Sequence, residues 1–151
     1  MVLRTAWVYG AFGQNFVRTM LRLARERQVI GVVADQVGCP TSAKDVAAAL
    51  VKIASASLDG AIEDQLLHMV SPVQATWYEL ANALFRISSR GFKGELRAIT
   101  TAEYPTRAKR PPNSRLDSAR LGATLGIRLP DWHDSLGDVV HELEGNPGRT
   151  Q

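Results

Sequence analysis

The chain of 151 residues is predicted to adopt an α/β fold, because short β-branched and aromatic segments alternate with amphipathic helical segments. Residues 2–8 are rich in β-branched and aromatic side chains and lead into Gly10, as expected of an interior parallel strand. In residues 15–28 apolar side chains recur at helical spacing, and arginines occupy the opposite side. The carboxyl end of a parallel strand faces the ligand in open α/β sheets, so the end of this first strand is a candidate ligand edge.

Two helix starts are signalled by capping residues. Ser42 followed by Asp45 resembles a capping box, with Asp in the usual Glu position, and predicts that a helix begins there. Thr76 and Glu79 form the same pattern with the usual acid and predict a helix that runs through Phe85.

The other elements follow from propensity and from turn residues. Residues 35–41 are expected to form a turn, and three prolines keep residues 102–113 in an ordered loop without regular structure. Residues 145–151 are expected to be a flexible tail. The remaining predicted strands are 29–34, 66–70 and 96–99, and the remaining predicted helices are 43–55, 116–125 and 131–143.

Charge and composition argue against several function classes. The 18 basic and 15 acidic residues are interspersed, which argues against a nucleic-acid surface although the net charge is +3. The single cysteine, Cys39, excludes an internal disulfide, and the three histidines lack metal-site spacing. Without a basic leader or an apolar stretch of ~20 residues, the sequence predicts a cytoplasmic protein with no membrane contact.

Three segments together resemble one enzyme family. They read LRTAWVYG at residues 3–10, DQVGCPTS at residues 35–42 and KRPPNSRLD at residues 109–117. With them the chain resembles the dTDP-4-dehydrorhamnose reductases, which are extended short-chain dehydrogenases/reductases, over nearly its whole length but only in that family's C-terminal half. The resemblance implies the C-terminal portion of a Rossmann-like NAD(P)-binding fold plus a small mixed α/β substrate-binding lobe.

The resemblance also implies a domain organisation. Residues 1–144 would be the substrate-binding part, with a sheet-and-helix portion at 2–70 and a smaller lobe of interleaved elements at 71–144, and the N-terminal cofactor-binding half is expected to be absent. The family's catalytic Tyr-x-x-x-Lys pair is not found, because Gly13, Asn82 and Ala108 stand four places after the tyrosines. The glycine-rich phosphate loop is also not found. We therefore expect no catalytic residue in this chain.

Trp7 and Val8 are the first candidate site residues. An indole near the end of a strand can lie flat against a sugar ring, although a core tryptophan would give the same sequence. The resemblance implies that Trp7 lies beside the deoxyhexose of the substrate and that Val8 lies near the nicotinamide of the cofactor.

Five further residues are candidate substrate contacts. Asn15 and Phe16 match the family at a helix start, where a helix cap and a core side chain are the alternative roles. Gln36 and Thr41 flank a tight turn that the resemblance places along the substrate cleft. Arg110 lies in a rigid basic loop suited to a diphosphate, against the alternative of a merely solvated loop.

The resemblance predicts no bound metal here. Some members of the family bring carboxylates together around magnesium at a dimer contact. Glu142 could supply one acid, but Lys44 stands where a second acid would be wanted.

The leading functional hypothesis is the C-terminal part of an NADPH-dependent (or NADH-dependent) reductase that converts dTDP-4-dehydro-L-rhamnose to dTDP-L-rhamnose. In that reaction hydride passes from the nicotinamide to the C4 ketone while a tyrosine donates the proton. The isolated chain is expected to be inactive and to bind no cofactor. Its expected partners are a dTDP-deoxyhexose and the missing N-terminal half, and a homodimer is left open.

Two alternatives to an enzyme part are left open. One is a non-catalytic nucleotide-binding or regulatory module, since the same superfamily includes the regulatory subunit of methionine adenosyltransferase. The other is a truncated, inactive relic, whose incomplete sheet would expose apolar edges.

Overall fold

The computed structural model describes residues 1–58 and 66–145. Within these ranges strands and helices alternate, which confirms the predicted α/β class. The strands are β1 (Val2–Arg4), β2 (Val8–Tyr9), β3 (Val29–Val33), β4 (Val37–Gly38), β5 (Thr41–Ser42), β6 (Leu66–His68), β7 (Ala75–Thr76) and β8 (Glu95–Ile99). The helices are α1 (Phe16–Glu26), α2 (Ala43–Leu58), α3 (Trp77–Ile87), α4 (Ala119–Leu125) and α5 (Trp132–Gly145), and Thr101–Glu103 forms one 3₁₀ turn.

Strand pairing in the described ranges is mostly parallel. β1 pairs with β6, β2 with β5 and β3 with β8, all in parallel. β4 and β7 form an antiparallel pair. Parallel pairing requires crossover connections, and the helices between the strands provide them, as the alternating sequence pattern predicts.

The predicted strand at residues 2–8 is wrong in one respect, because the structure has two strands there. Trp7 has a φ of 50°, the left-handed region that bulky L-residues rarely adopt. The backbone therefore turns between β1 and β2, and each strand pairs with a different neighbour. Beyond the two ladders, Met69 donates its N–H to the carbonyl of Arg4 at 2.8 Å, and Thr41 donates to that of Trp7 at 3.1 Å.

The helix starts show one confirmed and one wrong prediction. The capping box of α3 is present, with the Thr76 hydroxyl accepting from the Glu79 N–H at 3.1 Å and the Glu79 carboxylate accepting from the Thr76 N–H at 2.6 Å. The box predicted for α2 is absent from the hydrogen bonds of the described residues. There the Asp45 carboxylate accepts from the Ser135 hydroxyl at 2.5 Å, which ties α2 to α5.

The other boundaries differ by a few residues. Helix α2 continues to Leu58 and α5 to Gly145, whereas α4 begins only at Ala119. Gly126 ends α4 in the left-handed conformation, with a φ of 65°, as predicted from its position. Apart from Gly145, the predicted tail lies outside the described residues.

Two clusters of buried side chains form the core of the described part. The first packs α1, β3, α3 and α5 together, and the second packs α2, β6 and α4. The segment that follows β6 joins them, because the Ser71 hydroxyl accepts from the Trp132 N–H at 3.0 Å. The first cluster draws residues from both predicted portions, which fits interleaved elements. The division at residue 70 stays a prediction.

Candidate functional site

Trp7 lies just beyond the carboxyl end of β1 and is half-buried. Its ring stacks on the ring of Trp77, the first residue of α3, with centroids 3.5 Å apart and planes at 6°. The Trp7 Nε1 donates a hydrogen bond to the Ser114 hydroxyl at 2.9 Å. The indole is therefore held by two elements distant in sequence.

The second face of the Trp7 ring lies against Gly38. A Cβ added to Gly38 would lie 2.2 Å from Cε2 of Trp7, and 2.5 and 2.7 Å from Nε1 and Cδ2. These distances place that Cβ directly above the ring, on the face opposite Trp77. With both faces covered, the flat stacking of a sugar on Trp7 that its position suggested has no open face in this arrangement.

The proline-rich loop docks beside this ring. Val37 of β4 donates its N–H to the carbonyl of Pro112, and its carbonyl accepts from the N–H of Ser114, both at 2.8 Å. Val37 and Asn113 form an isolated parallel bridge between the same segments. The loop is therefore ordered where it meets β4, as predicted, and it places Arg110 two residues before its docked portion.

Arg110 is exposed, and within residues 1–58 and 66–145 no hydrogen bond or ion pair holds its side chain. Arg115, by contrast, donates from its Nη1 to Gln74 Oε1 at 2.6 Å and from its Nε to Asn113 Oδ1 at 3.0 Å. The free guanidinium of Arg110 can thus meet an anion without first losing a partner. The preference for Arg110 over its basic neighbours stays a prediction.

Asn15 and Phe16 have roles within the fold. The Asn15 amide donates to the carbonyl of Gly10 at 2.9 Å, and its Oδ1 accepts from the N–H of Arg18 at 3.2 Å. Asn15 therefore closes the glycine turn and caps α1. Phe16 packs against Trp77 with ring centroids 4.7 Å apart. These contacts match the alternatives of a cap and a core side chain, and ligand contact by either residue stays a prediction.

Gln36, Thr41 and Val8 surround the same turn. Gln36 donates to the Thr101 hydroxyl at 3.0 Å. Thr41 is fully buried, and its hydroxyl donates to the Cys39 carbonyl at 3.0 Å. Thr41 thus shapes the turn, whereas Val8, with 44% of its surface exposed, has a side chain available for contact.

Trp77, Gly38 and Ser114 were not predicted as site residues. Gly38 and Ser114 lie inside two of the segments that carry the family resemblance, and Trp77 directly follows the α3 cap. Their common feature is contact with Trp7, which sequence spacing does not reveal because the partners are up to 107 positions apart.

Tyr9 has a structural role. Its hydroxyl donates to the carbonyl of Trp132 at 2.9 Å. Burial raises the pKa of the Tyr9 phenol far above its ordinary value, and the negative charges of Asp45 and Asp131 raise it further. The phenol therefore stays protonated and is held inside the core.

The described residues contain no cluster of three or more His, Cys, Asp or Glu side chains that could hold a metal ion. Lys44, which was expected to disfavour a metal, lies 3.4 Å from the Asp138 carboxylate of α5. The absence of a bound metal stays a prediction. Within the described ranges, no helix has the length and apolarity to cross a bilayer.

The family model described as the RmlD substrate binding domain matches residues 1–144. The chain belongs to this RmlD family. Its relative from Sinorhizobium fredii, a dTDP-4-dehydrorhamnose reductase, is 43% identical over 146 residues, which cover 94% of this chain and 49% of the relative. The RmlD-family chain spans about half the length of the curated relatives it matches.

Solved structures agree with this RmlD-family assignment. A dTDP-4-dehydrorhamnose reductase from Clostridium acetobutylicum superposes with a TM-score of 0.84 at 34% identity, over 94% of this chain and 48% of that structure. A second such reductase, from Bacillus anthracis in complex with NADP, gives a TM-score of 0.79 at 32% identity, over 93% of this chain and 47% of that structure. Both matches confirm the predicted C-terminal, Rossmann-like portion of the fold.

Proposed function

We propose that the chain is the sugar-nucleotide-binding part of an NADPH-dependent reductase that converts dTDP-4-dehydro-L-rhamnose to dTDP-L-rhamnose in the cytoplasm. The observation that carries the proposal is the docking of the Arg110–Ser114 segment on β4, directly beside Trp7. It joins two of the three family-like segments through the backbone of the third. The curated relatives, which have this activity by name, support the substrate class.

In this proposal the chain binds and orients the substrate. Trp7 contacts the deoxyhexose, and the free Arg110 guanidinium binds the diphosphate through a bidentate fork. Gln36 and Thr41 shape the wall between them, and Asn15 with Phe16 holds the start of α1 next to it. Such positioning can lower a reaction barrier by several kcal/mol without supplying a catalytic group.

The chain is proposed to bind no cofactor by itself. Val8 is its one proposed contact to the nicotinamide, and the residues present include no glycine-rich phosphate loop. In the complete enzyme NADPH (or NADH) supplies the hydride. The site that holds it and the Tyr-x-x-x-Lys pair would come from an N-terminal half, the proposed partner of this chain, and a homodimer stays a prediction.

Substrate binding is testable by titration calorimetry of the 151-residue chain with dTDP-L-rhamnose. We expect measurable binding that Arg110→Ala weakens about tenfold, which corresponds to the loss of one charge-assisted hydrogen bond. Lys109→Ala removes an adjacent positive charge and is the matched control, with an expected change below about threefold. Equal losses in the two variants would show that only the loop's general charge matters.

Turnover is the second test. The chain alone should not oxidise NADPH with dTDP-4-dehydro-L-rhamnose, whereas the chain mixed with the N-terminal half of the Sinorhizobium fredii relative should. Activity of the chain alone would contradict the predicted lack of catalytic residues. Nucleotide binding without any restored activity would favour the non-catalytic binding module.

A further inference from the structure

Trp7 has an unusual backbone. Among the non-glycine residues of the described ranges it alone has a positive φ, at 50°. A bulky L-residue adopts this region at an energetic cost and persists there only where its surroundings fix it. The contacts of the Trp7 side chain must therefore outweigh that cost.

Those contacts restrain the indole on both faces and at one edge. Trp77 covers one face at 3.5 Å, and the backbone of Gly38 covers the other. Ser114 accepts from the Nε1 edge at 2.9 Å. Since the side chain is only half-buried, its exposed part is the remaining ring edge.

Trp77 is itself well anchored. It follows the capping box of α3, which fixes the helix start, and Phe16 packs against its ring. Trp77 therefore presents a rigid flat surface to Trp7 rather than a mobile side chain.

We infer that Trp77 is a positioning residue which, with Gly38, orients the Trp7 indole so that the ring edge, not a ring face, meets the deoxyhexose of the sugar nucleotide. This inference rests on the proposed function. An edge contact constrains the sugar by shape at one side, and it depends on the indole plane being held. Trp77 would act through Trp7 and not by touching the substrate.

The test compares dTDP-L-rhamnose with dTDP, because only the first carries the sugar. Calorimetry on the chain should show tighter binding of dTDP-L-rhamnose. Trp77→Leu should remove most of that preference, a change of about tenfold, while leaving the affinity for dTDP within about twofold. Trp77→Phe keeps an aromatic face and should retain the preference.

Near-ultraviolet circular dichroism reports the stack directly, since parallel indoles couple strongly. Trp7→Phe and Trp77→Phe should each remove the same coupled signal. Trp132→Phe is the matched control, because the Nε1 of Trp132 has no hydrogen-bond partner in the described ranges. Should Trp77→Leu fail to fold, Ser114→Ala disturbs the same ring without touching α3 and should reduce the sugar preference in the same direction.

The outcomes separate the inference from the proposed function. A wild-type chain that binds neither nucleotide contradicts the proposed function, and the inference falls with it. A chain that binds both nucleotides, with a sugar preference that Trp77→Leu leaves intact, overturns the inference alone.

Discussion

Gly38 is the residue whose replacement has the most direct structural consequence. A Cβ at this position would overlap the Trp7 ring, with a closest approach of 2.2 Å. Gly38→Ala should therefore push the indole out of its place and destabilise the fold by about 1–3 kcal/mol, as overpacking does. Urea unfolding followed by far-UV circular dichroism would measure the change.

Gly137→Ala is the control for this substitution. Gly137 is an exposed residue within α5, and a Cβ there would meet no atom within 4 Å. Alanine at an exposed helical position should stabilise the fold by roughly 1 kcal/mol. If both glycine variants changed the free energy of unfolding in the same direction, the close packing of Trp7 on Gly38 would be wrong.

Asp35 carries a residue-scale prediction about pH. Thr101 donates to its carboxylate from the hydroxyl at 2.6 Å and from the backbone N–H at 2.9 Å, and these bonds hold the pKa of Asp35 below its ordinary value. A lowered folded-state pKa contributes stability above the unfolded pKa of about 4, and this is lost as the pH falls through the folded pKa.

The measurement is the carboxyl ¹³C titration of Asp35 by NMR. Thr101→Val removes the hydroxyl donor and should raise the pKa of Asp35 toward its ordinary value. Thr100→Val is the matched control, because Thr100 donates instead to Glu103, from its backbone N–H at 2.7 Å and from its hydroxyl at 2.8 Å. An unchanged Asp35 titration in Thr101→Val would show that this loop anchor is not formed.

At the scale of elements, the start of α3 determines where Trp77 lies. Thr76→Ala removes the hydroxyl that caps the helix and should cost about 1 kcal/mol of folding free energy. Thr76→Ser keeps the hydroxyl and should cost much less. Thermal unfolding of both variants measures the difference, and equal losses would contradict a capping role.

Local elements could be predicted because their signals are local. The α3 capping box needs only Thr76 and Glu79, three positions apart, and the end of α4 needs only Gly126. The break between β1 and β2 could not be predicted, because residues 2–8 have strand propensity throughout. Trp7 leaves the strand conformation through contacts with distant residues, and propensity does not encode such contacts.

The candidate site follows the same division. Arg110 and Trp7 were predicted from their segments, and the structure brings those segments together along β4. The covering of both Trp7 faces could not be predicted, because Trp77 comes from an element 70 positions away. Asp45 shows the same limit, since its partner Ser135 lies 90 positions away and replaces the expected local cap.

At the scale of the whole molecule, the two buried clusters are joined by hydrogen bonds between their elements. Asp45 of α2 accepts from Ser135 of α5, and Ser71, just after β6, accepts from the N–H of Trp132. Both bonds join an element of the second cluster to α5 of the first. Separate unfolding of either cluster would break these bonds and leave polar groups without partners, which is costly in a buried setting.

The clusters should therefore unfold as one cooperative unit. Leu121 is fully buried in the second cluster, and Leu121→Ala should cost about 2–5 kcal/mol through the cavity it leaves. The three tryptophans all lie in or against the first cluster, so their fluorescence reports that cluster, whereas far-UV circular dichroism also reports α2 and α4. Leu121→Ala should shift both transitions equally, because cooperative unfolding carries the loss from one cluster to the other. Leu50→Ala, at a partly exposed position of α2, is the control and should change the free energy of unfolding by less than about 0.5 kcal/mol. A fluorescence transition that stays at the wild-type midpoint in Leu121→Ala would mean that the hydrogen bonds through Ser71 and Asp45 do not couple the clusters.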